Sequence, residues 1–127
     1  MSEGKGCYKV ALVAGITTAG GDVLGIANPE GADIILTRII LDITTPATGA
    51  ATLDVGIAAT AATTSDTLLD GIDAGTAAAQ FDSGDETDSG TNGKIGRSWP
   101  SDEFLTATPS ATCAGLVGNA YIEYYRV

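Results

Sequence analysis

No histidine occurs among the 127 residues of this chain. That removes the commonest general base and the commonest zinc ligand together, and with them the Ser-His and Cys-His pairs of nucleophilic catalysis. Large aromatic side chains are scarce: one Trp, two Phe and four Tyr. A core must therefore be assembled from Ile, Leu and Val on strands, and few rings remain to line a sugar cleft. Basic residues number six against sixteen acidic ones, for a formal net charge of −10. Such a chain is repelled by nucleic acid and by anionic lipid surfaces, so neither is an expected partner. No run approaches the ~18 apolar residues of a membrane span. The opening MSEGKGCYKVALVAG lacks the charged-then-apolar layout and cleavage site of a secretory signal, so the expectation is synthesis in a cytoplasm with no visible export signal.

Two cysteines, Cys7 and Cys113, fit no CxxC or zinc spacing. They read as two free small thiols, with a disulfide tying the N-terminal strand to the last strand as the sharper alternative. A Ser-Lys catalytic pair would need Lys5, Lys9 or Lys94 buried beside a serine, and all three stand in polar or edge-like contexts. No phosphate-binding or dinucleotide glycine fingerprint occurs; the glycine-rich segments have the composition of turns. No cofactor and no catalytic residue are expected, and the chain does not read as an enzyme.

What the sequence does contain is alternation. Tyr8–Ala14, Val23–Ala27, a long run from Ala32, Thr52–Ala59, Thr76–Phe81, Lys94–Trp99, Glu103–Thr108 and Leu116–Val127 read as about eight strands, with turn residues every ten or so positions. Residues 1–6 read as a flexible arm and 7–127 as one domain. The expected fold is all-β: an antiparallel two-sheet sandwich of jelly-roll or related Greek-key type. Ser65-Asp66 reads as the cap of a short helical turn carrying Leu68, Leu69 and Ile72, and Asp82–Gly93 as a surface loop.

The segment Ala32–Ala59 is the expected centre of the core. Uninterrupted alternation puts Ile35, Thr37, Ile39, Leu41 and Ile43 on the inner face, and Ile34, Leu36, Arg38, Ile40 and Asp42 on the outer one. Ile34, Leu36 and Ile40 are then apolar residues on an outer face, to be covered by a neighbouring subunit or by the Tyr8–Ala14 strand. Trp99, Tyr121, Tyr124, Tyr125 and Arg126 join them as candidate interface residues, since Tyr, Trp and Arg are enriched at protein contacts. A core role for some of these rings is the competing reading.

Two acidic groups could carry chemistry. Asp82, Asp85, Glu86, Asp88 and Asn92 place hard oxygen atoms within eleven residues, enough for calcium, though not at EF-hand spacing; a solvated loop is the plainer reading. Asp66, Asp70 and Asp73 surround the expected helical turn and read as a cap and two solvent-facing groups. A carboxylate pair for glycoside hydrolysis needs a cleft that nothing in the sequence indicates.

The segments LTRIILDITTPATGAATLDVGIA, LLDGIDAGTAAAQFD, NGKIGRSW and GLVGNAYIEYYRV resemble those of small structural proteins of tailed bacteriophages, above all the jelly-roll decoration, or head-stabilising, proteins of the capsid. The resemblance implies a virion protein that binds the outer surface of an assembled capsid. It implies the major capsid protein as partner and self-association, commonly as a homotrimer. It transfers no site residues. A ligand- or carbohydrate-binding sandwich and a tail or neck component are the alternatives. An exposed row of Tyr or Trp on one sheet face would mark the first, and a hexamer the second.

Overall fold

The computed structural model describes residues 4–93 and 96–127. Nine strands form two antiparallel sheets: β1 (Gly4–Ala11), β2 (Leu24–Ala27), β3 (Ile34–Thr45), β4 (Thr52–Ala58), β5 (Leu69–Asp73), β6 (Ala79–Asp82), β7 (Arg97–Trp99), β8 (Phe104–Pro109) and β9 (Val117–Arg126). One sheet runs β1-β9-β3-β6, with β7 also paired to β3; the other runs β2-β8-β4-β5. Apart from β7, the pairing is that of one long hairpin: β1 with β9, β2 with β8, β3 with β6, β4 with β5. Rolled up so that β9 meets β3 and β8 meets β4, this is the jelly roll.

The core between the sheets is aliphatic, as the shortage of aromatic residues requires. Ile39, Leu41 and Ile43 from β3, Leu53 and Val55 from β4, Leu105 and Ala107 from β8 and Ile122 from β9 are buried there. Trp99 is the one large ring fully enclosed, and its indole N–H donates to the Glu103 carbonyl at 2.9 Å. The β2–β3 turn is organised by the buried Asn28. Its amide oxygen accepts from the N–H groups of Glu30 (2.9 Å) and Gly31 (3.2 Å), and its amide nitrogen donates to the carbonyls of Ala32, Trp99 and Pro100. Asn28 thus satisfies five backbone groups of this turn and of Trp99 and Pro100, the buried Trp99 carbonyl among them.

Several expectations are corrected. The outer-face assignment of Ile34 and Leu36 is wrong: both are buried, and Ile35 is exposed instead. The cause is a β-bulge. Leu36 pairs with Tyr124 and Arg38 with Glu123, so Thr37 is an extra residue and the strand changes phase there. No helical turn follows Ser65; Leu69–Asp73 is strand β5. The spacing that suggested a helix comes from a second bulge. Leu69 pairs with Val55 and Ile72 with Leu53, both buried, with Gly71 (φ +73°) inserted between the paired residues Asp70 and Ile72. The only helix among the described residues is one turn, α1 (Glu86–Ser89), inside the expected loop. Gly4–Gly6, assigned to the arm, are the first residues of β1; residues 1–3 lie outside the described residues, as do Lys94 and Ile95 of the expected Lys94–Trp99 strand.

Candidate functional site

The two outer faces of the sandwich are finished differently. The four-stranded sheet is covered by the chain itself. Thr106, Thr108, Gly56 and Ala58 all turn away from the core, and all are buried. The loop after β4 lies on them so closely that a Cβ at Gly56 would strike the Ser65 and Thr67 hydroxyls, and one at Gly21 would strike the Ala61 carbonyl. Small residues there allow backbone to pack on sheet.

Among the described residues the five-stranded sheet has no such cover. Seven large apolar side chains are exposed among the described residues: Val13, Ile16, Ile35, Val117, Tyr121, Tyr125 and Val127. Ile35, Val117, Tyr121 and Tyr125 lie on strands of this sheet with outward parity and Val127 directly follows β9, while Val13 and Ile16 belong to the β1–β2 connection. Strand pairing sets the outward residues in rows: Lys5, Tyr125 and Ile35; Cys7, Glu123 and Arg38; Lys9, Tyr121, Ile40 and Asp82; Ala11, Asn119, Asp42 and Gln80. A groove of about 380 Å³ crosses the middle, lined by Cys7, Tyr8, Lys9, Arg38, Ile40, Tyr121, Ile122 and Glu123.

Charge on this face is balanced. Lys5 pairs with Glu123 at 3.4 Å and lies over the Tyr125 ring, 5.7 Å from its centroid. The Arg38 Nε donates to both oxygens of Asp82 at 2.9 and 3.0 Å, and the guanidinium holds that carboxyl below the usual carboxylate range. Lys9 has no ion-pair partner among the described residues. The strands of this face thus present Lys5, Lys9 and Arg38 against Glu123, Asp82 and Asp42, with no net charge. The whole −10 of the chain lies elsewhere.

The candidate residues named from sequence separate into two groups. Tyr121 (41% exposed), Tyr125 (47%) and the half-buried Ile40 meet on the open face. Ile34, Leu36 and Trp99 are core residues and cannot touch a partner. Tyr124 points inward, edge-on to Tyr8, with ring centroids 6.2 Å apart. Its hydroxyl donates to Glu30, which also accepts from Arg126 Nε at 3.1 Å, and Arg126 Nη1 donates to the Lys5 carbonyl. Arg126 and then the Tyr124 hydroxyl hold the Glu30 carboxyl low, while burial, and then the carboxylate, push the Tyr124 phenol up. This trio ties the β2–β3 turn to the ends of β9 and β1. Sequence reasoning placed Arg38 on the outer face beside Ile40 but missed Lys9, Cys7 and Ile35 as members of it. The alternation of β1 already put Lys9 opposite the core, but only the β1-β9-β3 pairing brings it beside Tyr121 and Ile40.

The acidic groups are engaged within the fold. Asp82 holds Arg38, and the Asp88 carboxylate accepts from the Asp82 N–H at 2.9 Å. Asn92 turns the other way, its amide donating to Asp66 (3.0 Å) and Asp70 (3.1 Å). The side chain of Glu86 lies outside the described residues. Asp73 accepts from Gly75 N and the Thr76 hydroxyl in a turn. Among the described residues no cluster of three or more His, Cys, Asp or Glu side chains is placed to hold a metal ion. Cys7 is exposed and Cys113 buried, both as free thiols. Among the described residues no helix is long and apolar enough to cross a membrane. No family model, no curated protein and no solved structure matches this chain.

Proposed function

We propose that the chain is a non-enzymatic structural protein of a tailed-phage virion, a capsid decoration protein that works by docking. One observation carries the docking part: exposed apolar side chains are gathered on one uncovered, charge-balanced sheet face while the other face is sealed by the chain's own loop. Contiguous exposed apolar patches on a soluble domain mark contact surfaces. Tyr121 and Tyr125 supply the rings, with Lys9, Arg38 and Glu123 as polar groups around the groove. The decoration role and the major capsid protein as partner come from the resemblance of the segments quoted above. The high negative charge outside the face keeps the free protein soluble until it meets the lattice.

The test is co-sedimentation with expanded capsids of the phage that encodes the chain. Wild type should pellet with capsids, and Tyr121→Ser should remain in the supernatant while keeping its melting temperature. Wild type left in the supernatant overturns the proposal.

A second reading has its own observation. Tyr121 and Tyr125 stand exposed on one face of one strand, four residues and so about 13 Å apart. Such a row could stack on sugar rings, making the chain a carbohydrate-binding module. Binding on a glycan array that Tyr125→Ser abolishes would favour it; silence would dismiss it.

A further inference from the structure

The outward residues of β9 and β3 complement each other row by row. Tyr125 stands beside Ile35, Glu123 beside Arg38, and Tyr121 beside Ile40. Within one chain these are lateral neighbours. A two-fold axis parallel to the strands, midway between β9 and β3, converts them into facing pairs. It stacks β9 of one protomer over β3 of its partner at unchanged height along the strands. Each tyrosine then meets an isoleucine, and Glu123 meets Arg38, from both sides of the axis. The same operation carries β1 over β6. Lys9 lies in the row of Tyr121, Ile40 and Asp82, so it arrives over its partner's Asp82 and gains the acidic neighbour it lacks in the monomer.

We propose that in the free protein the occupant of this face is a second copy of the chain, that two protomers pack their five-stranded sheets face to face about this two-fold, and that capsid docking through the same face would displace this pairing. Isologous interfaces require such self-complementarity. Charge favours the same choice. Two chains of −10 repel wherever their acidic surfaces meet, and this face carries equal numbers of acidic and basic strand residues. Stacked sheets lie ~10 Å apart with strand directions within about 30°, so the central rows of Tyr121 and Glu123 align best. Strands β1, β9, β3 and β6, of 8, 10, 12 and 4 residues, cover roughly 550 Å² in plan, which side-chain relief brings toward the ~800 Å² per partner of a standard interface. The inference rests on reading this face as a protein contact surface. It does not need the virion.

Sedimentation velocity over a range of concentrations tests it. Wild type should approach twice the mass of one chain, and Tyr121→Ser and Lys9→Glu should each weaken the pair about tenfold or more without lowering the melting temperature. Register has its own test, independent of any loss of folding. In a Cys7→Ser background, an Ala11→Cys chain mixed with a Gln80→Cys chain should be joined by a short bismaleimide faster than either chain is joined to itself, since the two-fold stacks β1 over β6 in that row. A monomer at every concentration, a trimer, or a dimer indifferent to both substitutions overturns the proposal. If wild type is monomeric yet Tyr121→Ser still abolishes capsid or glycan binding, the self-pairing fails and the docking face stands. A dimer that ignores capsids leaves the pairing in place and removes the decoration role.

Discussion

Leu36 and Arg38 are two residues apart on one strand, yet Leu36 is fully buried in the core and Arg38 is exposed on the opposite face. Residues at that spacing normally share a face. Thr37 separates them as an unpaired residue, and its hydroxyl donates to both the carbonyl and the carboxylate of Glu123 at 3.0 Å. The bulge lets one strand bury Ile34 and Leu36 and then Ile39, Leu41 and Ile43, while Arg38 and Ile40 reach the open face.

Deleting Thr37 should therefore be far worse than changing it. Without the extra residue, the strand either exposes Ile34 and Leu36 or buries Arg38. Losing the burial of two such side chains costs about 3–6 kcal/mol, a large share of the ~5–15 kcal/mol that stabilises a typical domain. Thr37→Val keeps the residue count and forfeits only the hydroxyl contacts, about 1 kcal/mol. Urea unfolding followed by circular dichroism should find the deletion unfolded or nearly so and Thr37→Val folded.

That bulge also marks what the sequence could and could not tell. The strands, their alternation and the two-sheet sandwich follow from β-branched runs and turn residues, which act locally. Both apolar phases of β3, Ile34/Leu36 and Ile39/Leu41/Ile43, are legible in the letters; the place where one yields to the other is set by pairing with β9. Gly71 hid β5 in the same way, by giving Leu69 and Ile72 a helix-like spacing. Of the open face, Tyr121, Tyr125 and Ile40 were legible as apolar residues with nothing local to cover them. Arg38 was legible as an outer-face residue of the same strand; Lys9 was not legible as its neighbour, because the two come together only through pairings that span most of the chain.

Gly6 is expected to tolerate no side chain. It is buried under the Tyr124 ring, and a Cβ there would run into the ring carbons and the hydroxyl. Gly6→Ala should cost about 1–3 kcal/mol, the usual range for overpacking. In a Tyr124→Ala background the same change should cost much less. A double-mutant cycle in urea measures that difference, and equal costs in both backgrounds would refute the contact.

Asp54→Asn should stabilise the protein slightly. Burial and then the nearby Asp70 and Asp66 raise the Asp54 carboxyl above its ordinary range, so its charge opposes folding at neutral pH. The amide oxygen of Asn can still accept from the Gly71 N–H, as Asp54 does at 2.9 Å. The site is largely open to solvent, so the gain should be about 0.3 kcal/mol, or 1–2 °C in Tm, and should shrink as salt is added. Calorimetry at low and high ionic strength checks both parts.

Stability should fall at both ends of the pH scale, through different groups. Asp82 and Glu30 are held below their ordinary values by Arg38 and Arg126. A group lowered in the folded state contributes stability that is complete above its unfolded pKa, about 4, and is lost as pH falls through the lower folded value. Arg38→Gln should therefore flatten part of the acid limb. At the other end, burial and then Tyr124 raise the Tyr8 phenol, and its hydroxyl is buried with no hydrogen-bond partner among the described residues. Here the unfolded chain loses its proton first, near pH ~10, while the folded chain keeps it, so stability declines as pH rises above that value. Tyr8→Phe removes that titration and a hydroxyl with no partner among the described residues. It should leave stability at pH 7 unchanged or raised, and it should soften the alkaline limb, leaving the smaller decline due to Tyr124. Melting temperatures of wild type and Tyr8→Phe from neutral pH to above pH 10 decide it; a parallel decline in both would remove Tyr8 as the cause.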